Sequence, residues 1–364
     1  MSNLFLTSRV RGRLYRTVGL LLGSTLGFLL PVAPSHGEDD PAAWVSGSLH
    51  FAGQAISDPA FTEEGEGDRA NFVLELKVKK GWGDNFIFVH LWGGEGDGVY
   101  AGSSDPSLNM GAGEIELVAA QLTRNITDFL AVTVGKIDPS AYFDANALAN
   151  DGTSQFMASA FVNNPTIMFP MHEFGFLGEA KGGDMFTFML GVFEDVMPVD
   201  QMDGDEMGNE VRGEFANKFV IGEVGLHYDI FLEDGNLRLT GWNSGSADAG
   251  GFSLSWDQEM GEYFGMFSRI GSTPNAFDQD TAFAFSLGGQ FNFGEGHRAA
   301  LAYSTEQPGD SDSYDNISWV ETYLSFALDE TVALSGHLQF VVNPENDATN
   351  DALAIYGFRV HAVF

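Results

Sequence analysis

The sequence predicts an all-β fold: a transmembrane antiparallel β-barrel of about 16 strands, with short periplasmic turns, long extracellular loops and an infolded third loop. Three observations lead there. From Trp44 onward, apolar residues recur at every second position in about sixteen runs of roughly ten residues, the length a tilted strand needs to cross a bilayer. The breaks between runs alternate between tight turns ("KKGWGD", "RNITD", "KGGD", "LEDGN", "FGEGH", "LDET") and long acidic stretches. One rim therefore carries turns and the other carries loops. Beyond residue 37, finally, no stretch is apolar enough to span a membrane as a helix.

The start of the chain lies outside that pattern. Arg9, Arg11, Arg13 and Arg16 precede the apolar run "VGLLLGSTLGFLL", and small residues at Ser35 and Gly37 suit cleavage before Glu38. Residues 1–37 read as a secretory signal peptide; as a membrane anchor the apolar run is short. The barrel domain is then 38–364. Its removal takes four arginines and no acids, leaving 13 basic and 51 acidic residues and a net charge of −38. So acidic a chain is repelled by nucleic acid. There is no cysteine, which excludes a disulfide framework and thiolate metal sites.

Each run has two faces. In "NFVLELKVKK", Phe72, Leu74, Leu76 and Val78 share one, and Glu75, Lys77 and Lys79 the other. "DMFTFMLGVF" groups Phe186, Phe188, Leu190 and Val192. "TAFAFSLGGQFNF" groups Phe283, Phe285, Leu287 and Phe291, and "TVALSGHLQFVV" sets Val332, Leu334, Leu338 and Phe340 against Ser335, His337 and Gln339. A soluble β-sandwich also alternates, but its apolar face is a closely packed Val, Ile and Leu core. Here that face is rich in Phe, Leu and Gly, and the other carries Lys, Arg, Glu, Trp and Gln, which suits lipid outside and water inside. Backbone groups in lipid must be paired, so the sheet closes. The wall of the lumen then includes Glu75, Lys77, Lys79, Arg238, Trp242, Arg269, Trp319, Glu321, Tyr323, Arg359 and His361.

The last run, "LAIYGFRVHAVF", reaches Phe364. It is expected to pair with the first, Trp44 to Ile56, and so remove both edges. Its terminal aromatic resembles the recognition signal of the outer-membrane assembly machinery. Expected partners are therefore that machinery, outer-membrane lipid and lipopolysaccharide.

The stretch from Asp138 to Pro170 is too long for an ordinary connection. With Tyr142, Phe143, Phe156, Phe161, Ile167, Met168 and Phe169 it is also too apolar for disorder. Folding into the barrel buries those groups and narrows the lumen; packing outward as a cap is the alternative. Gly135-Lys136, the run Ser140 to Asp144, Asn146, Ala149-Asn150-Asp151, Thr153, Gln155-Phe156 and Val162-Asn163-Asn164-Pro165 resemble the hallmark stretch of the carbohydrate-selective outer-membrane porins, the OprB family. The resemblance implies a sixteen-stranded passive diffusion channel, constricted by its third loop and favouring sugars such as glucose. The constriction and substrate contacts are expected from Asp138, Tyr142, Phe143, Asp144, Asn146, Asn150, Asp151, Gln155, Asn163 and Asn164, with Tyr142 and Phe143 as sugar-stacking faces. The resemblance implies no cofactor and no catalysis. Sixteen-stranded porins are usually homotrimers, although no subunit interface is legible in the pattern.

The acidity of the chain departs from that family and keeps a general or cation-selective channel open, since negative charge at the mouth concentrates cations. Asp138, Asp144 and Asp151 are the expected cation-favouring carboxylates, facing a basic wall across the lumen. "DANALANDG" loosely resembles a calcium loop but lacks its fifth-position oxygen and twelfth-position glutamate, and reads as a hydrogen-bond network. "GEGDG" at 94–98 has no lysine with which to cradle phosphate. A barrel enzyme or adhesin is a third reading, but no serine sits in a nucleophile elbow.

Overall fold

The computed structural model describes residues 43–62, 67–104, 110–170, 172–195, 217–230 and 233–364. The expected signal peptide lies outside them, as does most of the acidic stretch "EDVMPVDQMDGDEMGNEV". The alternating runs become sixteen strands: β1 Trp44–Ile56, β2 Asp68–Trp82, β3 Asn85–Gly96, β4 Met110–Thr127, β5 Leu130–Ile137, β6 Glu173–Gly182, β7 Phe186–Glu194 and β8 Lys218–Ile230. They continue as β9 Glu233–Ser244, β10 Ala249–Met260, β11 Phe264–Ser272, β12 Thr281–Asn292, β13 Arg298–Pro308, β14 Ile317–Ala327, β15 Val332–Val342 and β16 Leu353–Val363. Each pairs antiparallel with its neighbours in the chain, and β16 pairs with β1 to close the barrel.

Closure runs in register from Ile56 opposite Ile355 to Ser48 opposite Val363. It ends on two bonds between Gly47 and Phe364, of 2.8 and 2.9 Å. The Phe364 ring lies over Gly47, where a Cβ would stand 2.3 Å from Cε2. Any side chain at 47 displaces that ring.

The two faces separate as the alternation requires. Leu74, Leu76, Leu190, Leu239, Phe252, Leu301, Tyr356 and Phe358 point outward and are exposed. Trp82, Phe186, Phe188, Tyr263, Phe291 and Phe326 form an exposed aromatic band near the rim of tight turns, as an aromatic girdle does at a membrane interface. No helix among the described residues is long and apolar enough to cross a membrane. The two larger buried apolar clusters lie inside the barrel, between the wall and the connections folded into it.

The register sets Leu76 outward, exposed, and Lys77 inward beside Glu75. Leu76→Arg should therefore lower the yield of folded barrel far more than Lys77→Leu, by a cost of roughly 2–4 kcal/mol near the midplane. Heat-modifiable migration in gels measures it; equal yields would place both positions in similar surroundings.

Candidate functional site

The connection between β5 and β6 lies inside the lumen. It leaves β5 through Asp138, whose carboxylate accepts bonds from the Ser140 N–H (2.9 Å) and hydroxyl (2.7 Å) and so caps the 3-10 turn Pro139–Ala141. A short helix, α1 Ser159–Val162, follows before the chain returns to β6. Between these points four charged wall residues hold the loop.

Arg269 on β11 is fully buried. Its Nε stands 3.0 Å from Asp144 Oδ2, and its two terminal nitrogens donate to the carbonyls of Phe161 (2.8 Å) and Asp144 (3.0 Å). Asp144 also accepts the Asn164 N–H at 2.8 Å, while its own N–H donates to Glu223 of β8 at 2.8 Å. Glu321 on β14 accepts the N–H groups of Met157 and Ala158, both at 2.8 Å, across 164 and 163 residues of sequence. Arg359 on β16 donates to the Gly152 carbonyl at 3.0 Å. Backbone polar groups of an irregular buried segment need such partners, since an unpaired one costs about 1–3 kcal/mol.

Apolar packing completes the attachment. Phe156 and Phe161 join Phe267, Trp319 and Tyr323 in one cluster, and Phe143 and Ile167 join Phe193, Phe219 and Trp242 in the other. The connection between β3 and β4 folds inward as well. Its Ser103 carbonyl accepts from Gln54 (2.8 Å) and Gln339 (2.9 Å), and its Gly102 carbonyl accepts the Ser159 N–H at 3.0 Å. Tyr100 packs on Trp319, with ring centroids 6.0 Å apart. Together the two loops pack against inward side chains on strands from β5 round to β16. At mid-height the least covered inward groups stand opposite, on β2 and β4: the side chains of Lys77 and Glu116 keep 36% and 35% of their exposure.

The expected site residues fall into two sets. Asp144, Asn146 and Asn164 are buried in bonds to the wall or the loop. Gln155 ties the N–H groups of Asn150 (2.7 Å) and Asp151 (3.1 Å) to the Ala147 carbonyl. Asp151 accepts from Thr153 and Ser154. Burial raises its carboxyl, but those bonds, with Arg359 nearby, outweigh burial and hold it below the ordinary carboxylate range. Asn163 is half-buried. Asp138 and Tyr142 keep access to the lumen; the Tyr142 hydroxyl bonds Gln121, and burial raises it above its ordinary value, so it stays protonated.

Several expectations need correction. Phe143 is fully buried against Phe193, with centroids 6.4 Å apart, and offers no face to a solute. Trp242 and Trp319 are covered too. Asp144 presents no charge to a passing ion, because Arg269 neutralises it. The basic wall and the acidic loop touch instead of facing each other across an opening. Of the other wall residues, Lys77 pairs with Glu75 at 2.9 Å, Arg238 with Asp257, and Lys79 lies 4.1 Å from the centre of the Phe86 ring.

Ser335, His337 and Glu321 stand in line, Oγ to Nε2 at 2.8 Å and Nδ1 to Oε1 at 2.8 Å. That is the order of a hydrolase relay. Here Arg359 Nε donates to the serine oxygen at 3.1 Å, and Glu321 already carries two loop N–H groups. The adjacent cavity is about 20 Å³, room for a water and not for an acyl group. The line serves to hold the loop. Sequence reasoning missed Glu223, His337, Gln54 and Gln339, which alternation marks as inward but not as loop anchors.

No family model matches the chain, and no curated protein sequence matches it. Solved structures do. OprB of Pseudomonas putida superposes with a TM-score of 0.71 over 94% of this chain and 97% of that one, at 12% identity. The chain has the porin fold. A Rhodopseudomonas blastica porin matches with a TM-score of 0.60 over 89% of this chain and 100% of that one, at 13% identity. The outer membrane channel DcaP of Acinetobacter baumannii matches at 0.55 over 92% and 100%, at 12% identity.

Arg269→Met leaves the Asp144 carboxylate buried without its cation, a loss of about 3–5 kcal/mol for such a pair. The loop should become sensitive to protease between Asp144 and Asn163 while the barrel stays closed. Arg269→Met with Asp144→Leu should restore most of the protection; equal cleavage of both variants would deny the pair its anchoring role.

Proposed function

We propose that the protein is a passive diffusion channel of the outer membrane of a Gram-negative bacterium, preferring small neutral solutes of the carbohydrate class. The observation that carries this reading is the third loop, held across the lumen by Arg269, Glu321 and Arg359 and leaving its least covered wall at Lys77 and Glu116. A narrowed polar passage of this kind selects by size and by weak contacts, and each contact must release the solute as readily as it takes it. Asp138, Tyr142, Asn150, Asp151, Gln155 and Asn163 are the loop residues with access to it. The residue pattern shared with the OprB family and the likeness of fold to a P. putida OprB support the carbohydrate preference. Transport of this kind needs no catalytic residue and no cofactor.

Residues 1–37 act as the export signal, lipid and lipopolysaccharide surround the barrel, and Phe364 is read by the assembly machinery before it settles over Gly47. A homotrimer is the expected assembly. The net charge of −38 supports a second reading, a cation-preferring channel for small solutes in general.

Single-channel recording in planar bilayers separates the two. The first reading expects glucose or maltotriose to block the current, and the second expects cation selectivity without block; a protein that forms no channel would defeat both. Shortening the loop between Asp144 and Asn163 should raise the conductance and weaken any block, because the strands on either side do not need it to close. An unchanged current would mean that the loop does not limit the passage. Phe364→Asp should reduce the folded protein recovered in outer membranes without reducing export to the periplasm; normal recovery counts against its role as a signal.

A further inference from the structure

Aromatic rings follow one another along the inward face of β3. Phe86, Phe88, His90 and Trp92 occupy alternate positions, a span of about 20 Å along the strand. Phe88 and His90 have centroids 6.3 Å apart, His90 and Trp92 5.6 Å. The series continues at both ends: Trp44 of β1 lies 6.3 Å from Phe88, and His172, where the third loop rejoins the wall, lies 5.3 Å from Trp92. None of these rings belongs to the two large apolar clusters under the loops. They line the side of the lumen that the loops leave least covered.

Polar groups flank most of the rings. Across β2 the partners are Lys79 beside Phe88, Lys77 beside His90 and Glu75 beside Trp92. Across β4, Gln121 stands beside Phe88 and Glu116 beside Trp92, with Glu116 accepting the Trp92 indole N–H at 3.0 Å. Aliphatic side chains would fill the wall as well. Flat rings edged by hydrogen-bonding groups, on both sides at Phe88 and Trp92, match a solute that is itself flat, apolar on its face and polar at its rim. A pyranose has that form, with axial C–H groups on the face and hydroxyls around the edge. Coverage grades along the series: Trp44 is 38% exposed and Phe86 and Phe88 are half-buried, whereas His90 and Trp92 are 9% and 7% exposed.

We propose that this column is a contact track for pyranose rings between the mouth and the turn-side rim, with Phe88 and Trp44 as its stacking faces and Lys77 and Lys79 taking hydroxyls. The inference rests on the carbohydrate-channel reading and names where on the wall the sugar is held. A stacked ring is worth a fraction of a kilocalorie to little more than one, weak enough for a solute to step onward.

The test records glucose and maltotriose block of the full mature protein in planar bilayers. Variants are Phe88→Ala, Trp44→Ala, the conservative Phe88→Tyr, and Phe188→Ala on the outward face as control. Folded barrel is verified by heat-modifiable migration, and Phe88→Leu replaces Phe88→Ala if the latter does not fold. The half-blocking sugar concentration should rise about three- to tenfold in Phe88→Ala and Trp44→Ala. It should stay near the parent value in Phe88→Tyr and Phe188→Ala. Unchanged block in Phe88→Ala overturns the track and leaves the carbohydrate channel standing. A parent channel that conducts without sugar block overturns the track together with the sugar preference, and absence of conductance overturns the channel itself.

Discussion

Closure of the sheet between β1 and β16 is the constraint on which the rest of the molecule depends. A wall surrounded by lipid has no water to satisfy an unpaired strand edge, so each strand must find two neighbours. Once the last pairing is made, outside and inside become separate solvents, and a residue's position in the alternation decides which it meets. Leu190 and Phe252 can then be exposed without penalty, and Arg269 can be buried at the same height. The usual arrangement of a globular protein, apolar within and polar without, is inverted at the wall and restored only where the loops fold back against its inner surface.

The restored core explains the use made of scarce cations. Thirteen basic residues remain after the first 37 positions against 51 acids, and two of them, Arg269 and Arg359, are buried against loop carbonyls. A guanidinium meets several carbonyl and carboxylate oxygens at once in a fixed plane, which a lysine does not. Removing charge from water is expensive, and the geometry here offsets it with several oxygens for Arg269 and with Gly152 and Ser335 for Arg359. Loop and wall thus neutralise each other where they touch, and the half-exposed groups on β2 and β4 are left to face the passage.

Legibility followed the physics of each level. Period-two patterning is a local property, so strands such as β2 and β12 and the inward set from Glu75 to His361 could be read directly, and closure followed from the need to pair edges. The infolded third loop was legible because its apolar content demanded burial. Its contacts were not, since a pattern assigns a face but not a partner: Met157 meets Glu321 across 164 residues. Phe143 looked like an exposed stacking face and Trp242 like an open stretch of wall for that reason, and both are buried in one cluster between loop and wall. The inward fold of residues 97–104 was hidden because its small polar residues, Ser103 and Ser104, look the same in a solvent loop as in a buried one. The rings of β3 were visible one by one, but their succession across β1, β3 and His172 depends on register.

The anchors of the third loop also impose an order of events. Asp144 meets β8 and β11, Met157 meets β14, and Gly152 meets β16. The loop is made early in the chain, yet its last attachment waits for the final strand, and contacts so distant in sequence form late. The loop is therefore fully seated only once the last strand is in place. That last contact is then a packing step inside a finished wall, made when the sheet no longer has an edge to pair.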